Sequence, residues 1–261
     1  MAYICFMKKL IIWTISLLLV TSCGETIEDP IATTKEKKEV SDDGPLDERA
    51  KRHVESSLGI SATEKYSLEI YRENLDGDDK EDAIITVNRL QFAIDEAIQN
   101  GNVAKRAELA YMGNYNYIFY FDGGLNKISP PIALPSTPQK PLKIAFEHIS
   151  SEEYKDILID FRIRNSSFKD VYTVSNHTPR RIFQWKNFDG LGSGAKEAYV
   201  FEFKPTLKGS HKEILIYSAT FTDPKDDFDP LTYEPNLKPS SILEHRFFYL
   251  PQEGKYAIEK K

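Results

Sequence analysis

The sequence predicts a mainly β (α+β) fold. Antiparallel strands form about three repeated hairpin units, sandwich or propeller-like, with a helical insertion and an N-terminal helix. Three observations predict this. First, beyond residue 60 aromatic and β-branched residues are dense. The run Tyr115-Asn116-Tyr117-Ile118-Phe119-Tyr120-Phe121 reads as a strand by composition and alternation. Second, three segments repeat. With Leu68, Leu142 and Tyr199 in register, LEIYREN, LKIAFEH and YVFEFKP align at spacings of 74 and 57 residues. Fourteen residues on, Asp82, Asp156 and Glu213 open DAIITV, DILIDF and EILIYS, so each unit reads strand, polar loop, strand. Third, a hairpin pattern follows each unit: YIFYFDGGLNKIS, DVYTVSNHTPRRIFQW and FFYLPQEGKYAIE. A closed propeller needs more than three blades, which favours a sandwich or an incomplete propeller.

At the N-terminus, Lys8 and Lys9 precede an apolar run from Leu10 to Val20, followed by Thr21-Ser22-Cys23. A membrane span needs about 20 apolar residues; this run is shorter and is interrupted by Thr14 and Ser16, as in a signal h-region. The layout, with Val20-Thr21-Ser22-Cys23 at its end, resembles the lipobox of bacterial lipoproteins. That resemblance implies a signal peptide over 1–22, acylation of the Cys23 thiol and attachment to a membrane of the cell envelope, with the outer membrane expected. Met7 is an alternative start to Met1. Of the two cysteines, Cys5 falls in the leader, so Cys23 has no thiol partner in the mature chain. Two or more acyl chains anchor a protein stably where one does not.

Residues 23–45 read as a flexible tether. GETIEDPIATTKEKKEVSDDGP carries almost no large apolar side chain and cannot offset the entropy of ordering; its r.m.s. reach is roughly 25 Å. Its acidic start (Glu25, Glu28 and Asp29) resembles the surface-export signals of Bacteroidota lipoproteins. A single globular domain is expected over 46–261. Leu46 to Leu58 predicts a helix: Asp47 and Glu48 suit its first turn, Ala50, Val54 and Leu58 recur every four residues, and Gly59 can close it. A helical insertion is expected from Gln91 to Tyr111, broken at Asn100-Gly101-Asn102.

Charge narrows the function classes. The full chain has a formal net charge of −6, two units more acidic once Lys8 and Lys9 are removed with the leader. An acidic surface without Lys/Arg clusters argues against nucleic acid and against electrostatic adhesion to anionic lipid.

The strongest candidate for chemistry is Asn74-Leu75-Asp76-Gly77-Asp78-Asp79-Lys80-Glu81-Asp82. Oxygen ligands at positions 1, 3, 5 and 9 of a turning loop suit a hard cation. The loop resembles the calcium loops of FG-GAP and VCBS repeats. That resemblance implies Ca²⁺, in a structural role, held by Asn74, Asp76, Asp78 and Asp82 through side chains and by Lys80 through its carbonyl. Asn74 and Asp79 depart from the pattern, and an Asx-turn capping the strand is the competing reading. At the ligand positions the second unit has His148, Ser150 and Glu152 and the third has Pro205, Leu207 and Gly209, so both read as having lost the cation chemistry while keeping the hairpin.

Five scattered histidines (His53, His148, His177, His211 and His245) show no ligand spacing. Asp223, Asp226, Asp227 and Asp229 read as a solvated loop. Ser193 in Gly190-Leu191-Gly192-Ser193-Gly194 reads as part of a flexible loop, with no G-x-S-x-G elbow, P-loop or G-x-G-x-x-G in the chain. Trp185, Phe188 and Tyr233 suit the core better than a sugar platform. No catalytic residue is expected. The leading expectation is a non-enzymatic module binding an envelope protein or glycan; the alternative is a hydrolase of envelope or extracellular polymers, with paired carboxylates.

Overall fold

The computed structural model describes residues 44–99, 103–110, 112–206 and 209–258. The leader, Cys23 and the tether as far as residue 43 lie outside them. Among the described residues no helix is long and apolar enough to cross a membrane.

The first element is helix α1 (Leu46–Leu58). Pro45 precedes it, Asp47 and Glu48 face its positive end, and Gly59 closes it in the left-handed conformation at φ 61°. Strands β1 (Ser67–Glu73) and β2 (Asp82–Asn88) follow, then helices α2 (Leu90–Gln99) and α3 (Val103–Ala110). Strands β3 (Asn116–Asp122), β4 (Lys127–Ile128) and β5 (Ile132–Ala133) complete a first sheet of order β1-β2-β3-β4, with β5 also on β3. The second sheet holds β6 (Lys143–Glu147), β7 (Asp156–Ile163), β8 (Ser166–Ser175), β9 (Thr178–Asp189), β10 (Glu197–Pro205), β11 (Lys212–Thr220), β12 (Lys238–Leu250) and β13 (Lys255–Ile258). Its eight strands lie side by side in chain order.

Strand alternation sorts the apolar residues into layers. Ala83, Ile85, Val87, Phe119 and Phe121 turn one face of the first sheet to Leu46, Ala50 and Val54 of α1. Ile84, Ile118 and Tyr120 turn the other face to Ile157, Ile159, Phe161, Tyr172 and Val174 of β7 and β8. On the far side of β7 and β8, Leu158 and Val171 join Phe183 of β9 in packing on Ile214, Ile216, Phe247 and Tyr256 from β11–β13. The second sheet therefore folds back on itself. The bend lies between β9 and β10, which pair only at Asp189↔Glu197 and Phe188↔Ala198. The result is mainly β and antiparallel, with no closed barrel among the described residues.

The three hairpins β1–β2, β6–β7 and β10–β11 share one register. Ile70 faces Ile85, Ile144 faces Ile159 and Phe201 faces Ile216; Glu73 faces Asp82, Glu147 faces Asp156 and Lys204 faces Glu213. Separate four-stranded units did not result. The second and third are continuous through the β9–β10 ladder, and the first has five strands. The loop holding Ser193 is packed as well: Leu191 is buried, and Ser193 Oγ lies 2.8 Å from the carbonyls of Gly190 and Ala195.

Candidate functional site

The loop between β1 and β2 turns on its own side chains. Asn74 Oδ1 accepts from Gly77 N at 3.1 Å, and its amide donates to the Asp78 carbonyl. Asp76 Oδ1 accepts from Asp78 N at 3.1 Å, and Asp78 Oδ1 from Lys80 N at 2.6 Å. These are Asx-turns, which short polar side chains form in preference to regular structure. Asp82 is fully buried at the start of β2; its two oxygens accept from Leu75 N and Gly123 N, each at 2.9 Å. Burial, augmented by the nearby Asp76 charge, pushes its carboxyl above the usual range despite those two donors. Asp156 repeats the device in the second unit. It is also buried, and it takes Ile149 N, Ser150 N and Ser150 Oγ.

Asp76 has a second direction. Its Oδ2 accepts from the Tyr120 hydroxyl at 3.2 Å and lies 4.0 Å from His177 Nδ1. That same nitrogen is 2.7 Å from Oδ2 of Asp122, a buried residue at the end of β3 whose Oδ1 accepts from Leu125 N. His177 belongs to the β8–β9 turn, where Asn176 and His177 both have positive φ (50° and 59°), as a type I′ hairpin requires. Packing of the two sheets brings that turn over the β1–β2 loop. One ligand atom from each of Asp76, Asp122 and His177 lies within 4.8 Å of the others. Burial, then the charges of Asp82, Asp76 and Asp122, drive the Tyr120 hydroxyl strongly upward, so it stays protonated and donates.

Among the described residues, then, only Asp76 of the five expected cation ligands enters a carboxylate–histidine cluster with residues from elsewhere. Asn74, Asp78 and Asp82 spend side-chain oxygens on backbone N–H groups within or beside the loop. Two carboxylates and an imidazole form a mixed oxygen and nitrogen donor set, in which the imidazole suits Zn²⁺ and the carboxylates suit Mn²⁺, whereas Ca²⁺ takes oxygen ligands.

A cavity of about 400 Å³ opens beside this cluster. Its apolar lining comes from Leu125, Ile128, Pro130, Pro131, Ile132 and Pro179; Asp122, His177 and Tyr120 supply the cluster side. His177 remains half-exposed. Two nearby hydroxyls are engaged: Ser129 Oγ accepts from Tyr120 N and donates to Pro130 O, and Thr178 Oγ1 donates to Asn176 O.

The other expected residues serve packing. Phe188 is buried, Trp185 meets Tyr199 and Phe247 edge-on, and Tyr233 meets Phe228 edge-on. His53, His148 and His211 bond the carbonyls of Ser129, Tyr154 and Ser150. In the acidic loop Asp223 pairs with Lys196 at 2.7 Å, and Asp229 accepts from Leu231 N and Thr232 Oγ1. Asp122 and His177 were legible only as turn residues of two hairpins. Compared with family models, curated proteins and solved structures, the chain matches none.

Proposed function

We propose that this is an envelope lipoprotein, held at Cys23 to the outer membrane, whose β domain binds a protein or glycan partner. The observation that carries the binding reading is the 400 Å³ cavity beside Asp122 and His177. Ligand sites combine an apolar enclosure with a few convergent polar groups, and this cavity has that composition. The lipobox at Val20–Cys23 and the tether that follows support the anchoring.

A hydrolase is the second reading, favoured by the Asp122–His177 contact at 2.7 Å. A buried carboxylate on Nδ1 leaves Nε2 to act as a base. With Ser129 and Thr178 engaged elsewhere, the nucleophile there would be water. Binding is preferred because, among the described residues, no free side-chain nucleophile joins the pair.

We further infer that the three hairpins descend from one unit, supported by their common register and by the matched roles of Asp82 and Asp156. We also place any divalent cation at Asp76, Asp122 and His177, rather than in the 74–82 loop alone.

The experiment is a pull-down from envelope extracts with the wild-type chain and with His177→Ala and Leu125→Asp, alongside release assays on envelope polymers. Binding should be saturable and weakened by both variants without loss of fold. Retained binding in both variants refutes the site; turnover abolished by His177→Ala favours the hydrolase. A Cys23→Ser chain should leave the membrane fraction, and one that stays there with its leader removed refutes the anchor.

A further inference from the structure

Beyond the bend at β9–β10, the two halves of the second sheet part and leave a cleft of about 400 Å³. It shares the β8–β9 hairpin with the Asp122–His177 cavity but no lining residue. Its two walls differ. On β10, Tyr199, Phe201 and Phe203 alternate onto the inner face and are partly buried. Facing them, Asp160, Ser167, Lys169 and Asn187 form a polar ladder across β7, β8 and β9. Asp160 Oδ1 takes Lys169 Nζ at 2.7 Å and Asn187 Nδ2 at 3.0 Å, and Asn187 Nδ2 also reaches Ser167 Oγ at 3.1 Å. These bonds use Asp160 Oδ1 and Asn187 Nδ2 and tie the three strands together along this wall.

One end of the cleft is cationic. Lys140, Lys143 and Arg162 all point at a single carboxylate oxygen, Glu234 Oε1, at 3.0, 3.3 and 3.7 Å. Three positive charges face that one carboxylate; the more remote Asp229 also acts on Arg162, and Asp160 is already matched by Lys169. Arg162 is 1 % exposed; its Nη2 donates to the Tyr233 carbonyl, and its Nη1 has no hydrogen-bond partner among the described residues. Its guanidinium stacks on Phe188 at 4.5 Å and lines a narrow space of about 10 Å³ that shares Lys143, Asp160, Ser167 and Glu234 with the cleft. A buried guanidinium with an unused donor is costly, and an anionic oxygen is the group that best relieves it.

We propose that this cleft binds an oligosaccharide bearing carboxylate or sulfate groups. A pyranose ring has an apolar C–H face and an edge of hydroxyls, matching an aromatic wall opposite a polar ladder. The acidic substituent lies among Lys140, Lys143 and Arg162, competing with Glu234. An extended peptide added to the free edge of β10 is disfavoured, because alternate side chains would point away from the cleft and leave the polar ladder unused.

The test is titration calorimetry on the full chain in detergent, with oligogalacturonate, a heparin-derived hexasaccharide, neutral maltohexaose and polyglutamate as probes. One or both anionic saccharides should bind, more weakly at higher salt, and which of them binds identifies carboxylate or sulfate. Lys143→Gln, at an exposed side chain, should weaken binding about fivefold or more with the melting temperature unchanged. Tyr199→Ala should weaken it too, whereas His177→Ala should not. Binding of maltohexaose as tight as that of the anionic sugars overturns the proposal. So does capture of polyglutamate alone, silence from every probe, or binding indifferent to Lys143→Gln and Tyr199→Ala.

Discussion

Replacing Asp156 by alanine should expose how much the fold depends on its loop-capping aspartates. The wild-type carboxylate is fully buried and accepts from Ile149 N at 3.1 Å, Ser150 N at 2.5 Å and Ser150 Oγ at 2.7 Å. In the alanine variant the Ser150 hydroxyl can turn to Thr173 Oγ1, 3.3 Å away. The two backbone donors have no such recourse, and each unsatisfied buried group costs about 1–3 kcal/mol. Removing a carboxylate whose burial already raises its pKa returns part of that loss. The net destabilisation is about 2–4 kcal/mol, or about 10 °C in melting temperature for a domain of this size. Asp156→Asn keeps one accepting oxygen and should lose about half as much. Urea unfolding followed by Trp185 fluorescence measures the total, and hydrogen exchange at the Ile149 and Ser150 amides localises it. A change below about 0.5 kcal/mol, or amides that stay protected, would mean that the loop does not hang on this carboxylate.

Three further outcomes are expected. A Cβ at Gly123 would sit 2.2 Å from the Glu81 carbonyl, so Gly123→Ala should cost about 1–3 kcal/mol by overpacking and loosen the Asp82 cap; an unchanged melting curve would deny that contact. Burial raises the carboxyls of Asp82, Asp156 and Asp170, so folding takes up protons. Their contribution therefore falls as pH rises from the ordinary value of about 4 to their folded values, and is lowest above them. Melting temperatures against pH should decline less steeply in Asp156→Asn than in wild type, and identical slopes would contradict this. Finally, Zn²⁺ or Mn²⁺ should raise the melting temperature more than Ca²⁺ does, and Asp122→Asn should abolish the response; a response surviving that change, or none in wild type, removes the metal reading.

What could be read from the sequence was whatever depends on neighbouring residues. Alternation marked the strands, and Gly59 marked the end of α1; the expected break at 100–102 lies outside the described residues. The alignment of Asp82 with Asp156 picked out positions that share a role, although the role is to cap a loop. The Asp76–Asp122–His177 cluster was not legible. Its members lie on three segments that meet only when one sheet packs on another, and Asn176-His177 reads locally as a hairpin turn and nothing more. The 74–82 loop is ambiguous in sequence for a related reason: Asx-turns and oxygen-ligand loops use the same residues, and only the direction of each oxygen separates them. Nor does any pattern announce the two-residue β9–β10 ladder, which joins what read as separate units.

The chain-order arrangement of the strands bears on how the protein comes to be folded. No ladder in either sheet waits for a strand far along the chain, since each strand pairs with its neighbours in sequence apart from the short β5 on β3. Loop closure for every ladder is therefore cheap, and pairing can advance as the chain emerges, N-terminal hairpins first. Only the face-to-face burial, such as Tyr256 against Ile149 across 107 residues, must await the last strand. A chain stopped before β10 would thus hold the first sheet and the β6–β9 ladders yet leave Leu158, Val171 and Phe183 without the cover of β11–β13, and that is the stage at which it would be most open to aggregation.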